Sequence, residues 1–275
     1  MKNLSTLLAS LMHFCVDALC LCCLYLTTGN AHDYLVYNVL AFLTQPLTGI
    51  IVDKINGKYN VLFSAVILFL MATSMAVLTP DYKTVIAVLL GAGNSLFHVW
   101  GGREVAIVTK NDIRALGIFV SPGVLGLAVG AFLCSWMLLF ALLIAIGILT
   151  TIHFCIINGN AQVGSDNHLK TNKMAVLLMI AICVVVMLRS YLAGGFLARL
   201  AGSYMTAFVI FVVASVACLV AKNYVDGAVF VGLFAVNCTM PVTLHWAEKL
   251  LPGREGFSFG LLAASLMPPY LLSYL

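Results

Sequence analysis

The chain has 275 residues, of which 63% are hydrophobic and only 9% charged, with a formal net charge of +4. Soluble domains carry roughly a quarter charged residues, so a water-soluble globule is excluded and a polytopic α-helical membrane protein is expected. The apolar runs of about 20 residues have the length of spanning helices, not the ~10-residue alternating segments of a membrane β-barrel.

The first apolar run covers residues 4–26 and contains His13 and Asp17. With no small-residue cleavage site in view, it reads as a permanent helix rather than a signal peptide. A second helix is expected over 34–52, leading into the polar segment 53–60, and a third over 61–78. Thr79-Pro80-Asp81-Tyr82-Lys83 is a turn by its proline and polar content. The fourth run, 85–108, carries Asn94, His98, Arg103 and Glu104. Ionisable groups at membrane depth cost about 2.5–3.5 kcal/mol each on insertion scales. A chain tolerates them by turning them toward partners or a water-filled path. A short charged loop, 110–114, precedes a glycine-rich fifth helix over 115–133 and a sixth over 137–157. Residues 158–173 are polar and read as a linker between two halves. The second half, 174–275, holds apolar runs at 174–188, 193–201, 204–220, 228–244 and 257–275. Hydropathy leaves open whether 174–201 crosses once or twice; two short passes place Lys249 and Arg254 on the same side as the other basic loops.

Orientation follows from the basic residues. With a cytoplasmic N-terminus, inside loops hold Lys2, Lys54, Lys58, Lys110, Arg114, Lys170 and Lys173, and the first half's outside loops hold only Lys83. That is a strong positive-inside bias. The nine cysteines lie almost entirely inside apolar runs and read as small buried hydrophobes. Cys20 and Cys23 form a C-x-x-C, but there is no zinc-type pairing or disulfide framework. No basic patch interleaved with aromatics points to nucleic acid.

Six helices, a polar linker and further helices suggest two related halves. Gly49-Ile-Ile-Val-Asp53-Lys54-Ile-Asn56-Gly57-Lys58 resembles the loop signature of the major facilitator superfamily, with Asn56 and Gly57 as departures. Gly195-Phe-Leu-Ala198-Arg199-Leu-Ala-Gly202 looks like a degenerate second copy, which fits an internal repeat. His13-Phe-Cys-Val-Asp17, Ser95-Leu-Phe97-His98 with Arg103 after it, Ala115-Leu-Gly117-Ile-Phe-Val-Ser121 and Pro252-Gly-Arg254-Glu-Gly256-Phe-Ser-Phe259-Gly260 look like the fosmidomycin-resistance branch. Pro122 sits where the looser antiporter signature has its proline. The resemblance implies a bundle of two pseudo-repeated halves. The family has twelve helices; about 10–11 spans are expected here, with the second half shortened and incomplete. It also implies that the Gly49, Asp53, Lys54, Gly57 and Lys58 loop is a conformational latch. The cavity would be lined by the first, fourth, seventh and tenth of the family's helices.

Embedded polar residues fall mainly on those helices. His13 and Asp17, four apart, share a helix face. A carboxylate whose charge changes with access is what a proton-coupled carrier needs. Asn94 and His98, also one turn apart, are candidate cavity residues. So are Arg103 and Glu104, which pair across helices or snorkel, and Arg189, His245 and Glu248. The structural alternatives are a hydrogen-bonding pair for His13 and Asp17, a neighbouring carbonyl for His98, and a wet helix end for His245 and Glu248.

The expectation is a secondary carrier of a small organic molecule, proton-coupled and exporting, not an enzyme and without cofactor or metal. Its partners would be substrate, protons and the lipid bilayer, in a monomer. Its place would be the cell membrane, bacterial inner membrane type. Two other classes stay open. One is a shortened, non-transporting scaffold or sensor. The other is a membrane enzyme with a metal held by His13, His98, His245 and a carboxylate, for which no H-E-x-x-H pair is present.

Overall fold

The computed structural model describes residues 2–28, 30–54, 58–157 and 240–272, with Met174, Leu177, Leu178, Ile180 and Cys183 between them. Arg189, Gly57, the 158–173 linker and the 174–201 question lie outside the described residues. So do most of the expected second half and the side chain of Lys58. Among the described residues there is no strand. Six helices are long and apolar enough to cross a membrane: α1 (Lys2–Thr27), α2 (Ala31–Lys54), α3 (Lys58–Leu78), α4 (Lys83–Thr109), α5 (Ile113–Phe132) and α6 (Trp136–Ile157). Three shorter helices follow, α7 (Met240–Leu250), α8 (Glu255–Ala264) and α9 (Met267–Leu272). The protein is a multi-pass helical membrane protein.

Which helix sits inside follows from where the polar residues are. α1 carries Ser5, Thr6, Ser10, His13 and Asp17, all buried, and 78% of its apolar window lies inside the bundle, against 28% for α6. The outer helices turn large apolar side chains away from the protein. On α6, Ile144, Ile148, Ile152 and Ile156 repeat every fourth residue and are exposed, a single face of the helix. On α3, Phe63, Ile67, Leu70 and Met71 do the same. In water such patches would be a liability; against lipid tails they are the expected surface.

Close approach of α5 to α1 depends on small residues. A side chain at Gly126 would overlap the Phe14 carbonyl, and one at Gly130 the Ala18 carbonyl. Two prolines interrupt helices. Pro46 in α2 has no N–H to donate and its ring crowds the carbonyl four residues back. The turn before it, Val39–Leu43, is a π-helix, the usual form of such an insertion. Pro122 does the same inside α5, and its freed carbonyl, Ile118, accepts from Ser10 Oγ of α1 at 2.5 Å. α4 ends where Lys110 and Asn111 adopt positive φ of 57° and 60°. The Asn111 N–H returns to Ala106 O at 2.8 Å, a left-handed C-terminal cap.

Late in the chain the expected single apolar run 257–275 is two helices in the part described. α8 ends at Ala264 and α9 begins at Met267. Pro268 explains the break, because it has no N–H to donate to the Ala264 carbonyl four residues back and its ring crowds that carbonyl.

Candidate functional site

Helices α1, α4 and α5 bring His13, Asp17 and His98 together inside the bundle. His13 Nε2 lies 3.2 Å from Asp17 Oδ2, and His98 Nε2 lies 3.4 Å from Asp17 Oδ1. The two Nε2 atoms are 2.9 Å apart, with the rings edge to face. All three residues are less than a tenth exposed. His13 and Asp17 face the same way because they are one turn apart on α1. His98 reaches them from the middle of α4.

The tautomers follow from the outer nitrogens. His13 Nδ1 is 2.7 Å from the Phe119 carbonyl of α5, in the turn that leads to Pro122. His98 Nδ1 is 3.0 Å from the carbonyl of Asn94. A carbonyl oxygen only accepts, so each Nδ1 carries the hydrogen and donates it. Each neutral imidazole therefore presents a bare lone pair at Nε2. Two lone pairs and a carboxylate converge with no hydrogen between them. Such an arrangement is repulsive unless a positive charge is shared among the three groups.

The surroundings are tight and partly polar. A Cβ at Gly123 would come within 2.5 Å of both Asp17 Oδ2 and His13 Nε2, so a glycine is needed for α5 to pass this close. Asn94 donates weakly to Asp17 Oδ1 at 3.4 Å and approaches Cys20 Sγ at 3.8 Å. Its own Oδ1 is buried without a hydrogen-bond partner among the described residues. Phe97 and Phe119 stack against the His13 ring.

The other expected cavity residues lie elsewhere. Arg103 Nε pairs with Asp53 Oδ1 at 2.9 Å. The same oxygen accepts the Gly256 N–H at 2.9 Å, and Asp53 Oδ2 accepts the Phe257 N–H at 2.9 Å. Asp53, from the last turn of α2, thus caps the start of α8 and ties it to α4. No side chain at Gly49 fits, since it would overlap the Gly256 carbonyl. Lys54 is exposed beside this junction. Glu104 is buried within electrostatic reach of Tyr59.

His245 and Glu248 meet the α4–α5 connection instead of the triad. His245 Nδ1 donates to the Asn111 carbonyl at 2.7 Å. The Asn111 amide nitrogen donates to Glu248 Oε2 at 2.7 Å. Glu248 lies beyond the apolar run that ends at Leu244. Burial, with Glu255 as a like charge nearby, pushes its carboxyl up to about 9.

One polar cluster was not anticipated as a site. His153 Nε2 lies 3.0 Å from Ser5 Oγ, and its Nδ1 lies 3.4 Å from the Tyr59 hydroxyl. Its ring stacks edge-on to Trp100. It joins α1, α3, α4 and α6, and the only sequence signal was a histidine inside an apolar helix. The Phe119 carbonyl was also missed. Pro122 announced only the neighbouring Ile118 carbonyl, the one four residues back that its missing N–H leaves open.

Compared with protein-family models and with curated protein sequences, the chain matches none.

Proposed function

We propose that this protein is a secondary carrier of the facilitator type, exporting a small organic molecule in exchange for protons by alternating access. The observation that carries the reading is the His13–Asp17–His98 triad. It spends three polar groups inside a membrane bundle and leaves them in need of one shared positive charge. Embedded ionisable groups are expensive and mark ion or substrate paths. A proton between the three acceptors meets that need and can be given up when the site opens to the other side.

The Asp53–Arg103–α8 junction supports the second part of the reading. A carrier needs a contact that holds one state and can be released, and an ion pair capping a helix start is such a contact. In this reading the triad loads and unloads, and the junction opens and closes. The residue set for transport is His13, Asp17, Asn94 and His98, with Asp53 and Arg103 as the latch and Gly49 and Lys54 beside it. The chain would lie in a bacterial inner membrane with its N-terminus in the cytoplasm.

The test is flux in sealed proteoliposomes carrying an imposed pH gradient, with efflux substrates screened. The expected result is substrate movement driven by the gradient and abolished by Asp17→Asn. Gradient-independent flux, or flux unchanged in Asp17→Asn, rejects proton coupling at this site.

A further inference from the structure

We propose that His13, Asp17 and His98 form a binding site for a divalent first-row transition-metal ion of the zinc type. The donors are two imidazole Nε2 atoms 2.9 Å apart and the Asp17 carboxylate, whose Oδ2 lies 3.2 Å from His13 Nε2 and whose Oδ1 lies 3.4 Å from His98 Nε2. Zinc bonds to nitrogen and oxygen measure about 2.0–2.2 Å, and tetrahedral geometry then separates neighbouring ligands by about 3.3 Å. The two nitrogens and one carboxylate oxygen are spaced closely enough to take three corners of that tetrahedron. The ligand atoms lie within 4.8 Å of one another.

The outer contacts fit a metal as well as the inner ones. A metal-bound histidine usually donates its other ring N–H to a carbonyl or carboxylate, which fixes the tautomer and aims the lone pair. Here Phe119 O does so for His13 and Asn94 O for His98. With both Nδ1 atoms donating to carbonyls, both Nε2 lone pairs are left to the shared centre. The buried and unpartnered Asn94 Oδ1 lies beside the centre, and a fourth position remains for it or for water. The chemistry selects the ion class. Imidazole donors suit zinc, copper, iron and nickel. Magnesium and calcium want six or more oxygens, and only one carboxylate is present.

This site goes beyond the carrier reading, since binding needs no flux. On that reading the metal takes the place of the shared proton.

The experiment uses untagged protein in detergent, stripped of metal and titrated with Co2+ as a spectroscopic probe and Zn2+ as competitor. The expected result is one ion per chain with the intense visible absorption of a tetrahedral cobalt site, displaced by Zn2+. His98→Gln and Asp17→Asn each weaken binding at least tenfold, while His32→Ala, with its side chain largely in solvent, leaves it unchanged. Circular dichroism and gel filtration confirm that each variant is folded. Absence of stoichiometric Co2+ uptake by folded protein overturns the proposal, as does uptake that survives in folded His98→Gln and Asp17→Asn. Proteoliposome flux measured separately tells failure of the carrier reading apart from failure of the metal site.

Discussion

Glu248 shows how one buried acid can make an interface depend on pH. It is held against the α4–α5 connection by Asn111, and Glu248 Oε1 has no hydrogen-bond partner among the described residues. With its carboxyl raised to about 9, the folded protein binds this proton more tightly than the unfolded chain does. Its contribution is therefore largest at low pH and falls as pH climbs from the ordinary carboxylate range toward 9. Glu248→Gln removes that slope. The expected outcome is that the variant gains thermal stability relative to wild type as pH rises from 6 to 9. Melting curves in detergent across that range check it; a constant difference between the two proteins would place the proton elsewhere. The same scale explains the triad. Each histidine was visible in the sequence, but the direction of its lone pair was not, because that is set by a carbonyl on α5 for His13 and by the preceding turn for His98.

Helices and their ends carry the next level. α8 is only ten residues long, and the side chain of its cap residue, Arg254, accepts no hydrogen bond from the first turn. The start of any helix leaves N–H groups unsatisfied, and a carboxylate there meets both the open donors and the helix dipole. Asp53 supplies it from α2 while pairing with Arg103. Removing one member of a fully buried ion pair costs about 3–5 kcal/mol. Arg103 keeps some exposure, 18% for its side chain, so Asp53→Ala is expected to cost less, about 2–3 kcal/mol. The measurement is thermal unfolding of the variant. Hydrogen exchange should further show faster opening of Gly256 and Phe257, and no change at that pair would mean that α8 docks by packing alone.

Among the described residues, the His13–Asp17–His98 triad and the His153 cluster gather on α1, while the outer faces of α3 and α6 are apolar. The ends of this bundle differ in charge. Lys54 and Lys110 lie exposed at the end that carries the Asp53–α8 junction, and Lys83 lies exposed where α4 begins. The positive-inside bias predicts that the first end is cytoplasmic. Treating intact cells with a membrane-impermeant amine reagent should modify Lys83 and spare Lys54 and Lys110 until the cells are lysed. Peptide mass spectrometry reads the result, and the reverse pattern would invert the orientation.

Class and helix positions were legible in the chain itself, because a bilayer demands runs of about 20 apolar residues and this composition has few ways to meet that demand. Each of the six long helices lies within a few residues of where hydropathy put it. The π-helix before Pro46 and the break between α8 and α9 have local causes that proline alone announces. What the sequence left open was which embedded groups meet. His13, Asp17, Asn94 and His98 converge, while Arg103 goes to Asp53, Glu104 to the neighbourhood of Tyr59, and His245 and Glu248 to Asn111. Periodicity fixes a residue's face on its own helix. Which neighbour that face meets depends on the glycines that let α5 press against α1 and on the Ile118 and Phe119 carbonyls that α5 offers it, and these act only once the helices are packed together.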